Sequence, residues 1–208
     1  MIYLNNAATS FPKPKEVQEA VLASFSGPLV NAARTGLERE DDDIAYLCRT
    51  RLADLFNVDD PLHIVFTSGS TEALNLAIRG LNLEGAHVVS TAIEHNSVIR
   101  PLKTLEKEGK ITLTFVECDR HGWVEPEQIR EAIRDNTRAV IVNHCSNVTG
   151  TVLDIESISK IAHSQGAYFI VDASQSAGVV PIDCKGWDID LLAFTGHKSL
   201  YGMQGIGG

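Results

Sequence analysis

Two stretches decide the fold of this chain: Phe169-Ile170-Val171-Asp172-Ala173-Ser174-Gln175 and Leu191-Leu192-Ala193-Phe194-Thr195-Gly196-His197-Lys198. Each begins as a short apolar run and breaks off into small and polar residues, a pattern typical of buried strands in parallel sheets. From about residue 62 onward, similar apolar runs alternate with helical patterns. This alternation indicates βαβ units, so the sequence predicts an α/β fold with three layers, α/β/α, around a mostly parallel sheet.

The predicted elements follow from the period of the apolar residues. Strands are expected at residues 64–66, 88–89, 111–115, 139–142, 169–171 and 191–194. Helices with apolar residues at three- and four-residue spacing are expected at 71–79, 98–108, 126–134 and 155–165. Gly109 and Gly166 stand where two of these helices should end.

The pattern before residue 62 is different. It consists of two amphipathic helices, expected at residues 14–24 and 37–56, joined by a link that contains Gly, Pro and Asn. We therefore predict an N-terminal helical arm at residues 1–61 and a large cofactor-binding domain at residues 62–208.

The composition fits one large α/β core without a membrane span. Of the 208 residues, 44% are hydrophobic and 22% are charged. Charged or polar residues interrupt every apolar run well before the roughly eighteen residues that a bilayer requires. Residues 1–5 carry neither a basic region nor a cleavable apolar stretch. We expect a cytoplasmic protein that does not bind membranes.

Charge and cysteine content argue against other classes of protein. The net charge of -9, from 27 acidic and 18 basic residues, argues against a nucleic-acid-binding surface. The acidic run at residues 38–43 predicts a solvated helix face and not a metal site, because no histidine or cysteine lies beside it. Four cysteines without CxxC spacing are expected to remain reduced: Cys48, Cys118, Cys145 and Cys184.

The first candidate for chemistry is the turn Thr67-Ser68-Gly69-Ser70-Thr71-Glu72, between a predicted strand and a predicted helix. Free backbone N–H groups at a helix N-terminus, the helix dipole and hydroxyl side chains together favour bound phosphate. An ordinary Ser/Thr N-cap explains the same residues, so this motif is weak when taken alone.

Two more polar residues follow predicted strands. His95 could stack on a planar ring and exchange protons, although a surface or N-cap histidine is the simpler interpretation of this residue alone. Asn147 could donate a hydrogen bond to a ligand oxygen, although Asn, Thr and Gly also form turns. We expect His144 to be structural. A nucleophilic role for Cys145 is disfavoured, because nothing beside it in the sequence obviously lowers the pKa of its thiol.

Asp172 and Lys198 end the two stretches quoted first. A buried carboxylate at Asp172 needs a partner, and a protonated pyridine nitrogen can supply one. Gln175 lies three residues further on, within reach of the same ring. Lys198 follows a strand and is flanked by the donors Thr195 and His197, and a lysine activated by burial and nearby charge forms covalent adducts with aldehydes.

Taken together, these residues indicate a binding site more strongly than any of them does alone. The carboxyl ends of parallel strands meet at one edge of a sheet, where open α/β folds bind their ligands. Pyridoxal phosphate (PLP) needs a lysine for covalent attachment, an acid for its pyridine nitrogen and donors for its phosphate. Five polar sites at consecutive strand ends supply these groups, so the sequence predicts a PLP site at that edge.

The same motifs resemble the class V aminotransferase family of fold-type I PLP enzymes, and specifically its cysteine desulfurase branch. The resemblance runs along the whole chain and preserves the family order of the motifs. The matching stretches are Tyr3-Leu4-Asn5-Asn6-Ala7-Ala8-Thr9, Gly69-Ser70-Thr71-Glu72-Ala73-Leu74-Asn75, Glu94-His95-Asn96-Ser97, Ser146-Asn147-Val148-Thr149-Gly150, Asp172-Ala173-Ser174-Gln175 and Thr195-Gly196-His197-Lys198.

The resemblance implies a role for each site residue. Lys198 would attach PLP, His95 would lie over the ring, and these two would be the catalytic residues. Asp172 would pair with the pyridine nitrogen. The other cofactor-binding residues would be Asn147 and Gln175 at the phenolic oxygen and Thr71, Thr195 and His197 at the phosphate, with Ser70 in the phosphate turn.

The activity that the resemblance implies is conversion of L-cysteine to L-alanine with transfer of sulfur as a persulfide, in a homodimer that serves a sulfur-acceptor protein. The family's nucleophilic cysteine, carboxylate-binding arginine and C-terminal small domain lie beyond the lysine, so a PLP-binding part of the enzyme without turnover is expected here. Residues 31–37 also lack the histidine often seen in the related loop. Two alternatives are another class V PLP enzyme, such as an aminotransferase or a selenocysteine lyase, and a non-catalytic truncated dimerising fragment.

Overall fold

The computed structural model describes residues 2–26 and 43–208. Helix α1 spans Lys15–Ser24, and helix α2 spans Ile44–Phe56. The Asp43 carboxylate caps α2 by accepting hydrogen bonds from the backbone N–H groups of Ala45 and Tyr46. A short 3-10 helix, Pro61–His63, leads into the main body of the fold.

The centre of the molecule is a five-stranded sheet in which every pair of neighbouring strands is parallel. Its strands are β1, Ala86–Thr91; β2, Ile111–Val116; β3, Thr137–Asn143; β4, Tyr168–Asp172; and β5, Leu191–Ala193. Their order across the sheet is β2-β1-β3-β4-β5. Because neighbouring strands run in the same direction, the polar residues that follow β1, β3, β4 and β5 meet at one edge.

Four helices cover the two faces of the sheet; the first precedes β1 and the other three connect β1 to β2, β2 to β3 and β3 to β4. They are α3, Ser70–Gly80; α4, Asn96–Lys107; α5, Pro126–Ala132; and α6, Ile155–Ser164. Alternate residues of a strand face opposite sides. Val88 and Ile170 thus join a core with α3 and α4, whereas Val89 and Phe169 join a second core with α5 and α6. The predicted three-layer α/β/α fold is confirmed.

The strand predicted at residues 64–66 is wrong. This segment is extended but lies outside the sheet, and its neighbour Thr67 forms only an isolated antiparallel bridge with Gly207. Residues 206–208 occupy the space beside β5, where Gly208 exchanges backbone hydrogen bonds with Phe194. Thr67 is therefore linked through Gly207 to the chain beside β5, whereas Val65 remains 63% exposed.

Other predicted bounds are close to the observed ones. Strand β1 is longer at both ends than the pair of valines suggested, and α4 begins earlier because His95 caps it. Gly109 and Gly166 follow the ends of α4 and α6 with positive φ, as expected for helix termination. Of the helix predicted at 37–56, residues 37–42 lie outside the described residues, as does most of the acidic run.

Helix α2 packs by Ala53 and Phe56 into a third core with Ile182 and Phe194, on the β5 side of the sheet. The division into an arm at 1–61 and a large domain at 62–208 stays a prediction. None of the helices within residues 2–26 and 43–208 is long and apolar enough to cross a membrane. All four cysteines are free thiols.

Candidate active site

A cavity of about 620 Å³ opens at the carboxyl edge of the sheet. It lies within the size range of small-molecule sites, which is roughly 300–1,000 Å³. Its walls come from the ends of β3, β4 and β5, the first turn of α3, the loop before α4 and the N-terminal segment. The cavity brings together every site residue predicted from the sequence: Ser70, Thr71, His95, Asn147, Asp172, Gln175, Thr195, His197 and Lys198.

The turn before α3 has the geometry expected of an anion cradle. Gly69 has φ +153° and ψ 172°, a conformation that residues with a side chain rarely adopt. A Cβ there would still have room, but one on the facing Gly207 would lie 2.6 Å from the Gly69 Cα, so the two backbones meet at close range. Ser70 and Thr71 open the helix, where N–H groups have no acceptor within the helix and favour an anion.

His95 is connected to this cradle through Ser97. The His95 Nδ1 accepts a hydrogen bond from the Ser97 backbone N–H at 3.1 Å and lies 2.7 Å from the Ser97 Oγ. The same hydroxyl lies 2.9 Å from the Thr71 Oγ1. Since Nδ1 accepts a backbone N–H, neutral His95 carries its proton on Nε2. His95 is thus both the N-cap of α4 and a wall of the cavity.

The floor of the cavity is formed by Asn143 and Asp172, which are paired in register at the ends of β3 and β4. Both are buried, with Asp172 only 4% exposed. The Asp172 Oδ1 accepts hydrogen bonds from the backbone N–H of Ser174 at 2.9 Å and from its hydroxyl at 2.5 Å. Those bonds orient the carboxylate.

Lys198 is half-buried on the β5 side of the cavity. Burial lowers the pKa of its ammonium group, and the opposing charge of Asp172 partly offsets this shift. Burial and the charges of Lys198 and Lys13 also lower the pKa of His197. The His197 Nδ1 is buried and has no hydrogen-bond partner among the described residues. The charged forms of Lys198 and His197 are therefore both less favoured at this wall than they are in water.

The N-terminal segment, residues 5–13, crosses the mouth of the cavity. Its strongest attachment is the backbone carbonyl of His197, which accepts hydrogen bonds from four donors: the Thr9 Oγ1 at 3.0 Å, the Ser10 N–H and Oγ at 3.1 Å each, and the Lys13 Nζ at 2.8 Å. On the other side, the Gln175 Nε2 donates to the Ala7 carbonyl at 3.0 Å. The segment therefore joins both sides of the cavity and restrains the loop that carries Lys198.

Sequence reasoning missed three groups of this site. Ser97 lay inside the matched Glu94-His95-Asn96-Ser97 stretch, and its spacing of two from His95 is the signal that could have identified it. Glu94 lay in the same stretch, but only the structure shows it 7% exposed beside the floor. Nothing in the sequence linked Lys13 to a carbonyl near Lys198.

Burial affects the side chains of both His144 and Cys145. The His144 ring is buried edge-on against Trp187, with ring centroids 5.8 Å apart, and burial lowers its pKa to about 4. Cys145 lines the cavity, but burial raises the pKa of its thiol, which disfavours the reactive thiolate. Asn147 is exposed at the rim.

The polar groups that line the cavity together suit one kind of ligand. The first turn of α3 and the unpartnered His197 nitrogen suit an anionic group, the buried Asp172 suits a cationic ring nitrogen, and Lys198 suits an aldehyde. A parallel α/β sheet that carries these groups at its carboxyl edge defines the large-domain class of aminotransferase-like enzymes.

The chain belongs to the class-V aminotransferase family, whose model matches residues 2–208. Members of this family are PLP-dependent enzymes. The chain is 37% identical over 99% of its length to the cysteine desulfurases IscS of Shewanella sp. strain ANA-3 and of Pectobacterium carotovorum. It covers 52% of those relatives, so it spans about half of their length.

Solved structures agree with this assignment. The apo cysteine desulfurase of Thermococcus onnurineus superposes with a TM-score of 0.89 at 34% identity, covering 99% of this chain and 52% of that one. The structure described as SspA in complex with cysteine superposes with a TM-score of 0.86 at 33% identity, covering 100% of this chain and 60% of that one. The resemblance inferred from the motifs and the fold it implied are therefore confirmed.

Proposed function

We propose that the cavity binds PLP and that Lys198 is the residue to which PLP becomes attached. The observation that carries this proposal is the position of a half-buried lysine, with a lowered pKa, across one cavity from a buried, hydrogen-bonded Asp172. When bound, PLP supplies an electron sink that stabilises negative charge at the substrate α-carbon. Membership of a PLP-dependent family supports the same ligand.

The remaining roles are those that the family resemblance implies, and the residues concerned line the same cavity. The first turn of α3, together with Thr195 and His197, would hold the phosphate. Asp172, already oriented by Ser174, would keep the pyridine nitrogen protonated. Asn147 and Gln175, which both line the cavity, would contact the phenolic oxygen. His95, with its proton on Nε2, would cover the ring, and His95 or Lys198 would move protons at the substrate.

For the reaction, we propose cysteine desulfuration, in which L-cysteine is converted to L-alanine and its sulfur is transferred as a persulfide. The similarity to cysteine desulfurases over the whole chain, and to a protein solved with cysteine, supports this substrate class. Residues 143–208 supply the cavity floor and Lys198, while Cys145 is not suited to receive the sulfur because burial raises the pKa of its thiol. The sulfur-accepting thiol is therefore assigned to a group outside these walls.

We also propose that the protein works as a homodimer and passes sulfur to an acceptor protein. Large apolar side chains that are strongly exposed near the N-terminus support a second copy as the partner: Ile2 at 87%, Leu4 at 89% and Phe25 at 82%. A dimer interface would remove this surface from water. The cytoplasmic location remains a prediction from the sequence.

The experiment that tests the cofactor assignment is titration of the purified protein with PLP, followed by borohydride reduction and peptide mapping. We expect a visible absorption band and a reduced adduct on Lys198. Lys198→Ala should remove the adduct, whereas Lys185→Ala should keep it, because Lys185 lies on the surface paired with Asp59. A folded protein that gives no adduct, or gives one on another lysine, would overturn the assignment.

The substrate assignment needs a separate measurement. Alanine and sulfide released from L-cysteine should be quantified for the protein at its natural full length, with L-selenocysteine and an amino-group acceptor as competing substrates. Alanine formed together with persulfide supports desulfuration. Amino-group transfer without loss of sulfur would replace it with an aminotransferase reaction.

A further inference from the structure

The carboxyl group of Glu94 is buried beside the floor of the cavity and has no role in the function proposed above. It lies in the loop between β1 and α4 and is only 7% exposed. Its Oε1 accepts hydrogen bonds from the Thr91 Oγ1 at 2.5 Å and from the Asn143 backbone N–H at 2.9 Å. In return, the Asn143 Nδ2 donates to the Ile93 carbonyl at 2.6 Å. Two hydrogen bonds therefore hold this loop against the end of β3.

Two acceptor atoms in this arrangement lack a donor. The Glu94 Oε2 and the Asn143 Oδ1 are both buried and have no hydrogen-bond partner among the described residues. The Asn143 amide cannot be turned around to supply a donor, because its Nδ2 is already bonded to the Ile93 carbonyl. A proton on the Glu94 Oε2 converts one of the two atoms into a donor. A buried carboxyl oxygen without a donor costs less free energy in the neutral acid than in the carboxylate, so this arrangement favours the acid.

The charges around Glu94 favour the same form. Burial raises its pKa to about 8, and the negative charge of Asp172 adds to that shift. Asp172 is the register partner of Asn143, so the two carboxyl groups lie on either side of one floor residue. The other ionisable groups nearby in the chain are His95, next to Glu94, and His144, whose own pKa is lowered by burial. Of these, Asp172 is the one whose charge acts on Glu94.

We propose that Glu94 is a positioning residue that holds the His95 loop against the floor as a neutral carboxylic acid and leaves the negative charge of this region on Asp172. Glu94 precedes His95 directly, so the loop that it fixes determines where the imidazole lies. A carboxylate at position 94 would add a second negative charge next to that of Asp172. This inference rests on the proposed function only where it concerns PLP; the neutral state of Glu94 rests on its burial and its hydrogen bonds.

The neutral state can be tested without cofactor by thermal unfolding of the wild type and Glu94→Gln between pH 5 and 9. A carboxyl whose pKa is raised by folding contributes stability that is complete below its ordinary value of 4.5 and is lost as the pH approaches about 8. Gln is isosteric with the protonated form and does not titrate. The melting temperature of Glu94→Gln relative to the wild type should therefore rise by about 5 °C or more between pH 5 and 8 and then stay constant.

The matched control is Glu131→Gln, at an exposed position of α5, whose difference from the wild type should not change with pH. A Glu94→Gln difference that is equally flat, or that falls as the pH rises, would overturn the neutral state. Since Gln keeps the size and the hydrogen bonds of the acid, this comparison is expected to work with folded proteins. Failure of Glu94→Gln to fold near pH 5, where the acid is protonated, would also overturn the proposal.

The positioning role is tested by PLP titration of the same proteins at pH 7. Glu94→Gln should keep the affinity and the absorption maximum of the wild type within about twofold, whereas Glu94→Asp, which shortens the reach to Asn143, should weaken binding by about tenfold. Equal losses for Gln and Asp would overturn the role of the neutral hydrogen bond. If the wild type binds no PLP, the proposed cofactor fails while the unfolding comparison still decides the state of Glu94.

Discussion

The floor of the cavity and the N-terminal segment both contact the proposed cofactor site, but they are held by different forces. Asn143 and Asp172 end strands whose apolar neighbours are fully buried in two cores. The N-terminal segment is attached by hydrogen bonds to carbonyl groups, while Ile2 and Leu4 just before it are almost completely exposed. Apolar burial stabilises by several kcal/mol per side chain, whereas one hydrogen bond contributes about 1 kcal/mol net.

The cavity therefore has two parts that differ in how firmly they are held. The floor is rigid before any ligand arrives, because its carboxylate is oriented by Ser174 and its strands cannot shift without opening the core. The N-terminal segment depends on a single carbonyl, that of His197, for most of its attachment. Changes in the floor should therefore affect folding first, and changes in the segment should affect ligand binding first.

The largest predicted effect is on the free energy of unfolding, when an isoleucine is replaced by alanine in the sheet that forms the floor and in the N-terminal region. Ile170→Ala in β4 removes a side chain that is 0% exposed and should lower the free energy of unfolding by about 2–5 kcal/mol. Ile2→Ala, at a position that is 87% exposed, should change it by less than about 0.5 kcal/mol in the monomer. Urea denaturation measures both. Equal losses would show that the N-terminal residues are part of the core.

A smaller loss of stability is expected when the pH is lowered and His144 becomes protonated. Burial lowers the pKa of His144 from 6.5 to about 4, so the neutral ring is preferred in the folded chain. This contribution is complete above pH 6.5 and is lost as the pH falls towards 4, to a limit of about 3 kcal/mol. His144→Phe removes the titration and keeps a ring beside Trp187, so its stability should fall less than that of the wild type between pH 6.5 and 4. His63→Gln, at an exposed position, serves as the control; a parallel fall in all three proteins would contradict the assignment.

Lys13 tests the attachment of the N-terminal segment. Lys13→Met keeps the length of the side chain but removes the donor to the His197 carbonyl, so PLP binding should weaken by about three- to tenfold with little change in unfolding. The control is Lys15→Met, whose ammonium group is exposed and pairs with Glu19 one helical turn away. Equal effects of the two substitutions would mean that loss of charge, and not the bond to the carbonyl, is responsible.

The smallest effect is expected at Ser97. Ser97→Ala removes the hydroxyl that lies between His95 and Thr71. It leaves the Ser97 backbone N–H, which donates a hydrogen bond to the His95 imidazole. We expect a loss of PLP affinity of about two- to fivefold. Ser164→Ala, which removes a hydroxyl bonded only to a carbonyl of its own helix, should leave affinity unchanged. If the PLP affinity of Ser97→Ala equals that of the wild type, this hydroxyl does not contribute to ligand binding.

Prediction from sequence succeeded where the signal is local. The helix predicted at 155–165 is observed as Ile155–Ser164, and the strand predicted at 169–171 lies within Tyr168–Asp172, because the apolar period reports directly which face is buried. It failed at residues 64–66, whose β-branched run looks like a strand. Whether such a run joins a sheet depends on a free neighbouring edge, and residues 206–208 already occupy that space.

The candidate site shows the same division. The polar residues that follow strands could be found one by one, since a carboxylate or lysine after a buried run is conspicuous. Ser97 and Glu94 were inside a matched stretch but had no assigned role, because burial and hydrogen-bond partners are not visible in sequence. The environment of Glu94 arises from an Asn143 that is 49 residues away in the chain.

The sequence by itself determined the alternation of strands and helices and the types of polar residue at the strand ends, because both are written in patterns a few residues long. The tertiary structure decided which of those residues meet. The register of β3 and β4 sets Asn143 beside Asp172, and chain folding brings Thr9 to a carbonyl 188 residues away. Such contacts depend on packing between distant segments, and local periodicity carries no information about that packing.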